Sequence, residues 1–299
     1  MQNSTLKWVY LVVLSLIWGS SFILIKKGLI GLSPLQLGAL RIIFSTIVLL
    51  LIGWKSLKAI KKTEWKWILI SGILGTGIPV FLFAFAETEI DSAIAAILNS
   101  SVPLLAFVIG LIAFGAKYVK NQLLGVILGL AGSAALILIG SSINPDQNYY
   151  YAFLVILAAF LYGINVNIIK KYLQNVSAMG IATGNFIFIV IPAIIILFTT
   201  GFQDLPFATD VELQEAIGYV IILSIAGTAA AKIMFNKLVQ ISDPVFASSV
   251  TYLMPIISVS WGLLDGEKFT FWQFLAACVI ILGVYLGNRK PKNKTALKG

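Results

Sequence analysis

Apolar residues occur along this chain in ten long runs, each close to the length that a helix needs to cross a bilayer. The runs cover residues 8–25, 35–53, 67–86, 92–114, 121–140, 150–169, 178–198, 216–236, 244–264 and 271–288. About 20 apolar residues are needed to span the hydrocarbon core as a helix, which pairs all of its backbone polar groups internally. The pattern therefore predicts an all-α integral membrane protein with ten transmembrane helices.

Composition supports a membrane protein and removes one class of partner. Apolar residues make up 59% of the chain and charged residues 11%, against about 45–50% and about 25% in soluble domains. The net charge of +9 would suggest nucleic-acid binding in a soluble protein. Here the basic residues are scattered through short loops between apolar runs, so we expect no nucleic-acid partner.

The distribution of positive charge orients the predicted helices. With the N-terminus inside, 16 of the 21 Lys and Arg residues fall in cytoplasmic segments and three fall in outer loops. Cytoplasmic loops of membrane proteins carry this excess. We therefore predict a multi-pass protein of the cell (inner) membrane with both termini cytoplasmic and a basic cytoplasmic tail at 289–299.

The two halves of the chain resemble each other. Residues 18–27 (WGSSFILIKK) match residues 162–171 (YGINVNIIKK), and further matches follow in the same order: Gly75-Thr76 with Gly227-Thr228, Asp91 with Asp243, and Pro103 with Pro255. We infer two five-helix repeats, 8–140 and 150–288. Because five is odd, the second repeat enters the membrane inverted, and inverted repeats build secondary transporters with a midplane site that opens alternately to each side.

The same residues resemble a known family. The likeness rests on Trp18-Gly19-Ser20-Ser21-Phe22, Asp91…Ala95…Pro103, its partner Asp243…Ala247…Pro255, and Gly266-Glu267 followed by Gln273 and Gly283. This order resembles the EamA-type transporters of the drug/metabolite transporter superfamily over residues 8–288. The resemblance implies a ten-helix inner-membrane carrier, commonly an exporter of amino acids or related small metabolites.

Two prolines are expected to distort helices. Pro103 and Pro255 fall near the middle of the fourth and ninth predicted helices. A proline inside a helix leaves the carbonyl four residues earlier without its usual partner, here that of Asn99 or Thr251. Within a bilayer this carbonyl needs a neighbouring helix, water or a substrate. We predict kinks that either line a cavity or are satisfied by a neighbouring helix.

Aromatic and polar residues at mid-depth are candidate substrate ligands. Trp18 and Tyr162 occupy matching positions about halfway across the membrane, where a Trp is less usual than at the interface. They either stack against a substrate or pack between helices. Polar candidates are Asn99, Asn165, Asn185 and Tyr252. The alternative for such side chains is a helix-to-helix hydrogen bond worth about 0.6–2 kcal/mol.

Two basic residues lie within predicted helices. Arg41 lies about two turns from the outer end of the second helix, with Asn185 at the matching position of the other repeat. A charge inside the membrane suggests function, so we predict that Arg41 binds a substrate carboxylate; the alternative is extension to the outer surface. Lys232 lies nearer the inner end of the eighth helix and is expected to extend to the inner surface.

Other functions fit less well or remain open. The chain has no histidine and no P-loop motif, and we find no nucleophile paired with a base, so we predict no catalytic site, cofactor or metal ion. The expected partners are a small-molecule substrate and membrane lipids.

Gly125 and Gly129 form a G-x-x-x-G motif that suits helix packing or a homodimer contact. A lipid flippase or scramblase-like protein stays the alternative, because Arg41 and an apolar cavity would equally serve a lipid headgroup.

Overall fold

A computed structural model describes residues 2–115, 120–143 and 147–288, and the regular structure of these residues is helical. The first half holds α1 (Gln2–Gly28), α2 (Pro34–Gly53), α3 (Lys62–Gly72), α4 (Ile78–Ala86), α5 (Ser92–Asn99), α6 (Val102–Phe114) and α7 (Lys120–Ile143). The second half holds α8 (Ala152–Tyr172), α9 (Ala178–Thr199), α10 (Val211–Ile222), α11 (Ala231–Ile241), α12 (Pro244–Ser248), α13 (Met254–Leu264) and α14 (Phe271–Asn288).

Eight helical segments of the described chain are long and apolar enough to cross a membrane. They are Thr5–Gly28, Pro34–Ala59, Lys62–Ala86, Ser92–Phe114, Tyr149–Tyr172, Ala178–Thr199, Val211–Ile241 and Pro244–Leu264. They confirm a multi-pass helical membrane protein. In the fifth and tenth predicted spans, α7 and α14 have shorter apolar parts, so the count of ten and the inverted insertion stay predictions. The predicted tail at 289–299 lies outside the described residues.

Matching serines fix the start of one helix in each half. Ser33 accepts a hydrogen bond from the backbone N–H of Gln36, whose side chain in turn accepts from the N–H of Ser33. Ser177 accepts in the same way from the N–H of Gly180. Each cap pairs an amide that the first helical turn leaves free. These caps position α2 and α9, which pack against each other.

Four membrane-spanning segments are interrupted, at matching places in the two halves. A π-helical stretch, Ile73–Gly77, joins α3 to α4, and another, Leu223–Ala230, joins α10 to α11. The other two breaks precede Pro103 and Pro255, which the structure places in the first turns of α6 and α13. In a first turn the missing proline N–H costs no helical hydrogen bond. The helix is therefore interrupted just before each proline, and the proline itself begins the next helix.

Glycines allow helices of the bundle to approach closely. A Cβ atom on Gly19 would lie 2.8 Å from Ile257 Cβ in α13, and one on Gly163 would lie 2.9 Å from the Ala106 nitrogen in α6. A Cβ on Gly283 in α14 would lie 2.6 Å from the nitrogen of Gly129 and 2.7 Å from the oxygen of Gly125. The G-x-x-x-G motif of α7 thus packs against α14 within the chain.

We expect Gly283→Ala to lower the thermal unfolding midpoint of the detergent-purified protein. The added methyl group would meet backbone atoms that cannot move independently, and overpacking of this kind costs about 1–3 kcal/mol. Gly218→Ala in α10 is the matched control, because the added carbon has no described atom within 4 Å apart from the surrounding turns of its own helix, and alanine favours a helix. Equal midpoints for Gly283→Ala and the unaltered protein would contradict the close packing of α7 on α14.

Candidate functional site

The helix interruptions meet around one cavity, called here the central cavity. Its empty volume is about 830 Å³, including the open space at its mouth. Aromatic rings form much of the lining: Trp18, Phe22, Phe83, Tyr162 and Phe235. Polar side chains also reach it: Ser21, Arg41, Thr76, Asn99, Asn165, Thr228, Lys232, Ser248 and Thr251. Both halves of the chain supply residues of each kind.

Arg41 is held inside the protein. It is 9% exposed, and its Nε donates to the hydroxyl of Thr228 at 2.7 Å. Thr228 lies in the second π-helical stretch and donates in turn to the carbonyl of Leu223. Ser45, one turn beyond Arg41, donates to the Ser224 carbonyl at 3.0 Å and so joins α2 to that stretch. The guanidinium therefore lies in the central cavity and not at the membrane surface.

Lys232 also lies in the central cavity, so the prediction that it extends to the inner surface is wrong. Its side chain is 7% exposed, and its Nζ donates to the carbonyl of Gly75 at 2.5 Å. Gly75 belongs to the first π-helical stretch, which brings a backbone acceptor within reach of the ammonium group. Lys232 and Arg41 thus each bind a π-helical stretch of the opposite half, and the described lining includes no acidic residue.

The matching aromatic residues Trp18 and Tyr162 both line the central cavity. Trp18 Nε1 donates to the Gly227 carbonyl at 2.9 Å, and its ring centroid lies 5.1 Å from that of Phe235. The Tyr162 ring is nearly parallel to that of Phe83, with centroids 6.1 Å apart. The rings form apolar surfaces beside the polar groups of the cavity.

Two oxygen atoms of the cavity accept no hydrogen bond from any residue that the structure describes. Asn99 Oδ1, at the end of α5, and Thr76 Oγ1, in the first π-helical stretch, are buried and unpartnered. Asn165 differs, because its Oδ1 accepts from Ser71 Oγ at 2.7 Å. A buried polar group without a partner costs about 1–3 kcal/mol. Asn99 and Thr76 are therefore suited to accept hydrogen bonds from a bound molecule.

Two candidates lie outside the described lining. Asn185 is fully buried between α9 and α3; in the amide orientation that satisfies both ends, it donates to the carbonyls of Ile68 at 2.8 Å and Ile181 at 3.1 Å. Tyr252 is half-buried and packs against the hydrophobic core.

The sequence prediction missed Thr76 and Thr228 as ligand candidates, although the repeated Gly-Thr pair was a usable signal.

A cluster of ion pairs joins the two halves at the end of the bundle that the topology predicts to be outside. Lys26 pairs with Asp265 at 3.0 Å and with Glu267 at 2.9 Å, and Lys27 pairs with Asp265. Burial acts to raise the pKa of Asp265, but hydrogen bonds from Lys27 and Lys26 outweigh it and hold that pKa below its usual value.

Glu267 also caps the start of α5. Its carboxylate accepts from the N–H of Ser92 at 3.2 Å, from the hydroxyl of Ser92 at 2.7 Å and from the N–H of Ala93 at 3.2 Å. A carboxylate at a helix N-terminus pairs free amides and interacts favourably with the helix dipole. Glu267 thus links α1 and α5 to the connection between α13 and α14.

The pattern of both halves corresponds to one family. A model of the EamA-like transporter family matches residues 6–138 and again residues 150–289. The chain belongs to the EamA-like transporter family. This EamA-like transporter is 24% identical over 282 residues to the "Probable amino-acid metabolite efflux pump" of Escherichia coli (strain K12), covering 90% of each chain.

Other proteins extend the likeness of this EamA-like transporter. It is 26% identical over 299 residues to the "Uncharacterized inner membrane transporter YedA" of the same strain, covering 94% of this chain and 92% of that protein. A solved crystal structure aligns with a TM-score of 0.67 at 16% identity, over 95% of this chain and 96% of the other. At that identity the structural likeness concerns the fold.

We expect Glu267→Gln to lower the thermal unfolding midpoint. The change keeps the side-chain shape but removes the charge that pairs with Lys26, and hydrogen bonds to charged groups contribute about 1.5–3 kcal/mol. Glu215→Gln is the control, since it removes an exposed acid for which no ion pair is found among the described residues. The two variants are compared by thermal unfolding in one detergent, and an equal effect on the midpoint would refute a structural role for Glu267.

Proposed function

We propose that this protein is a secondary transporter that exports a carboxylate-bearing metabolite, an amino acid or a related compound, through the central cavity. The observation that carries the proposal is the charge of that cavity. Arg41 and Lys232 are both buried in its wall, and none of the described lining residues is acidic. An anionic group of a bound solute would supply the missing negative charge.

The free donors of the two cations fit such a group. Arg41 uses Nε for Thr228, and the described residues provide no hydrogen-bond partner for its two terminal nitrogens. Lys232 has one acceptor within the described ranges, the carbonyl of Gly75. Unpaired charges within a membrane protein are costly, and arginine binds a carboxylate through two parallel hydrogen bonds. A substrate carboxylate between these residues would therefore be strongly favoured over water.

The remaining lining suits the rest of an amino acid. Asn99 Oδ1 and Thr76 Oγ1 lack donors, and an ammonium group would supply them. The rings of Trp18, Phe22 and Phe83 offer an apolar surface for a side chain. Binding pockets combine mostly apolar walls with a few placed polar groups in this way. The relative named as a probable amino-acid metabolite efflux pump supports the same substrate class and direction.

Alternating access is supported by the arrangement of the helix breaks. In secondary transporters, discontinuous helices of inverted repeats surround the site, and one part rocks against the other. Here the breaks at Ile73–Gly77 and Leu223–Ala230 both reach the central cavity. We place the protein in the inner membrane with both termini cytoplasmic, which the charge distribution and the relative named as an inner membrane transporter support.

The test is a thermal-shift comparison of amino acids with their amides, which lack the carboxylate. An amino acid that binds should raise the midpoint; a hundredfold excess over Kd adds about 2.7 kcal/mol. Its amide should give little shift. Arg41→Gln and Lys232→Gln should weaken binding at least about tenfold, because each removes a charged hydrogen bond worth about 1.5–3 kcal/mol. Lys237→Gln, an exposed lysine of the same helix as Lys232, should bind normally.

Equal shifts by acids and amides, or normal binding by both Gln variants in the cavity, would contradict the proposal. The lipid alternative has its own measurement in liposomes that contain the purified protein. Rapid transfer of labelled phospholipid between leaflets, with no shift by any solute, would favour a flippase or scramblase. Slow transfer, equal to that of protein-free liposomes, would remove that alternative.

A further inference from the structure

A second pocket lies beside the ion-pair cluster at the predicted outer end. It is lined by Lys26, Glu87, Thr88, Glu89, Ile90, Asp91 and Gln147, and it shares none of them with the central cavity. We call it the Glu87 pocket. Most of these residues belong to the connection between α4 and α5, and Gln147 belongs to the connection between α7 and α8.

Three buried oxygen atoms of this pocket receive no hydrogen bond from the described part of the chain. Glu87 is 7% exposed, and neither of its carboxyl oxygens has a hydrogen-bond partner. The Oε1 atom of Gln147 is buried and unpartnered as well. The other end of this amide is fixed, because Nε2 donates to Asp91 Oδ1 at 3.0 Å. Buried polar groups almost always have partners, so these three acceptors together indicate a missing positive group.

The acids of the pocket form no ion pair with the described residues, although Arg41 and Lys26 act on Glu87 electrostatically. Throughout the described ranges, the ion pairs engage Asp265 and Glu267, and none engages Glu87, Glu89 or Asp91. Lys26 lines the pocket, but its ammonium group is already paired with Asp265 and Glu267. Among the residues that the structure describes, the acids of the pocket therefore have no cation paired directly with them.

We propose that the Glu87 pocket binds a small monovalent cation, with the carboxylate of Glu87 and the amide oxygen of Gln147 as ligands and Asp91 holding Gln147 in position. Carboxylate and amide oxygens are hard ligands that bind hard cations. Among the described residues, no three or more acidic, His or Cys side chains are grouped to hold a metal ion jointly, so the site does not favour a multiply charged metal ion. A single buried carboxylate matches one positive charge, either of an alkali ion such as Na⁺ or of a primary ammonium group.

Proton binding competes with the cation for Glu87. Burial raises the pKa of Glu87 well above its usual value, and Glu267 raises it further, while Arg41 and Lys26 oppose the change. Burial and the charge of Glu267 also raise the pKa of Asp91, while the hydrogen bond from Gln147 and the charge of Lys26 act to lower it. A bound cation favours the ionised carboxylate. Cation binding should therefore release a proton and become tighter as pH rises toward the pKa of Glu87.

The experiment measures thermal midpoints of the purified full-length protein in NaCl, methylammonium chloride or choline chloride at equal ionic strength. Choline is the reference because its bulky quaternary group has no N–H. We expect a saturable rise of the thermal midpoint with Na⁺ or methylammonium that is larger at about pH 8 than at about pH 6.

Glu87→Gln should abolish this rise of the midpoint, and the exposed control Glu215→Gln should keep it. Gln147→Leu should weaken apparent affinity about tenfold or more and serves as the second variant if Glu87→Gln does not fold.

Each outcome has one meaning. A rise with Na⁺ but not methylammonium assigns the site to an inorganic ion, and the reverse assigns it to the ammonium group of a solute. No saturable rise with either cation in the folded unaltered protein at about pH 8, or a rise that survives both Glu87→Gln and Gln147→Leu, overturns the proposal. A midpoint that depends on pH but not on the cation also overturns it, because Glu87 then binds a proton alone. Solute binding through Arg41 is measured separately, so the two proposals can fail independently.

Discussion

The need to pair every backbone amide and carbonyl inside a membrane determines where this protein can depart from a regular helix. Lipid offers no hydrogen bonds, so irregular backbone is tolerated only where protein or a cavity covers it. The two π-helical stretches and the two breaks before Pro103 and Pro255 satisfy this condition by meeting at the central cavity. Side chains of the opposite half then bind the exposed carbonyls, as Trp18 binds Gly227 and Lys232 binds Gly75.

This pairing also places the charges. Because Lys232 and Arg41 bind the π-helical stretches, two positive groups lie together in the cavity wall, whose described lining includes no acidic residue. The acids are concentrated at the predicted outer end, where Asp265 and Glu267 pair with lysines and Glu87 lacks an ion-pair partner among the described residues. The described residues thus form a positive region at the central cavity and an acidic region at the predicted outer end.

The sequence predicted the parts of this arrangement that depend on local chemistry. Apolar run length located the eight confirmed spans, and the repeated Gly-Thr and Pro positions coincide with all four helix breaks. Which way a side chain faces depends on helix rotation, and packing against neighbours sets that rotation. Asn185 therefore could not be excluded from the site until α3 was seen against α9, and Lys232 was misplaced because its acceptor lies 157 residues away.

Solute counterflow in proteoliposomes tests most directly the claim that the central cavity carries a carboxylate-bearing solute. Vesicles are loaded with a large excess of an unlabelled amino acid, chosen by its thermal shift, and diluted into a trace of the same compound in labelled form. A carrier that opens alternately to each side should accumulate label transiently above its equilibrium level. Vesicles loaded with the amide should not accumulate it. Label entering no faster than into protein-free vesicles, or equal accumulation with the amide inside, would contradict the account.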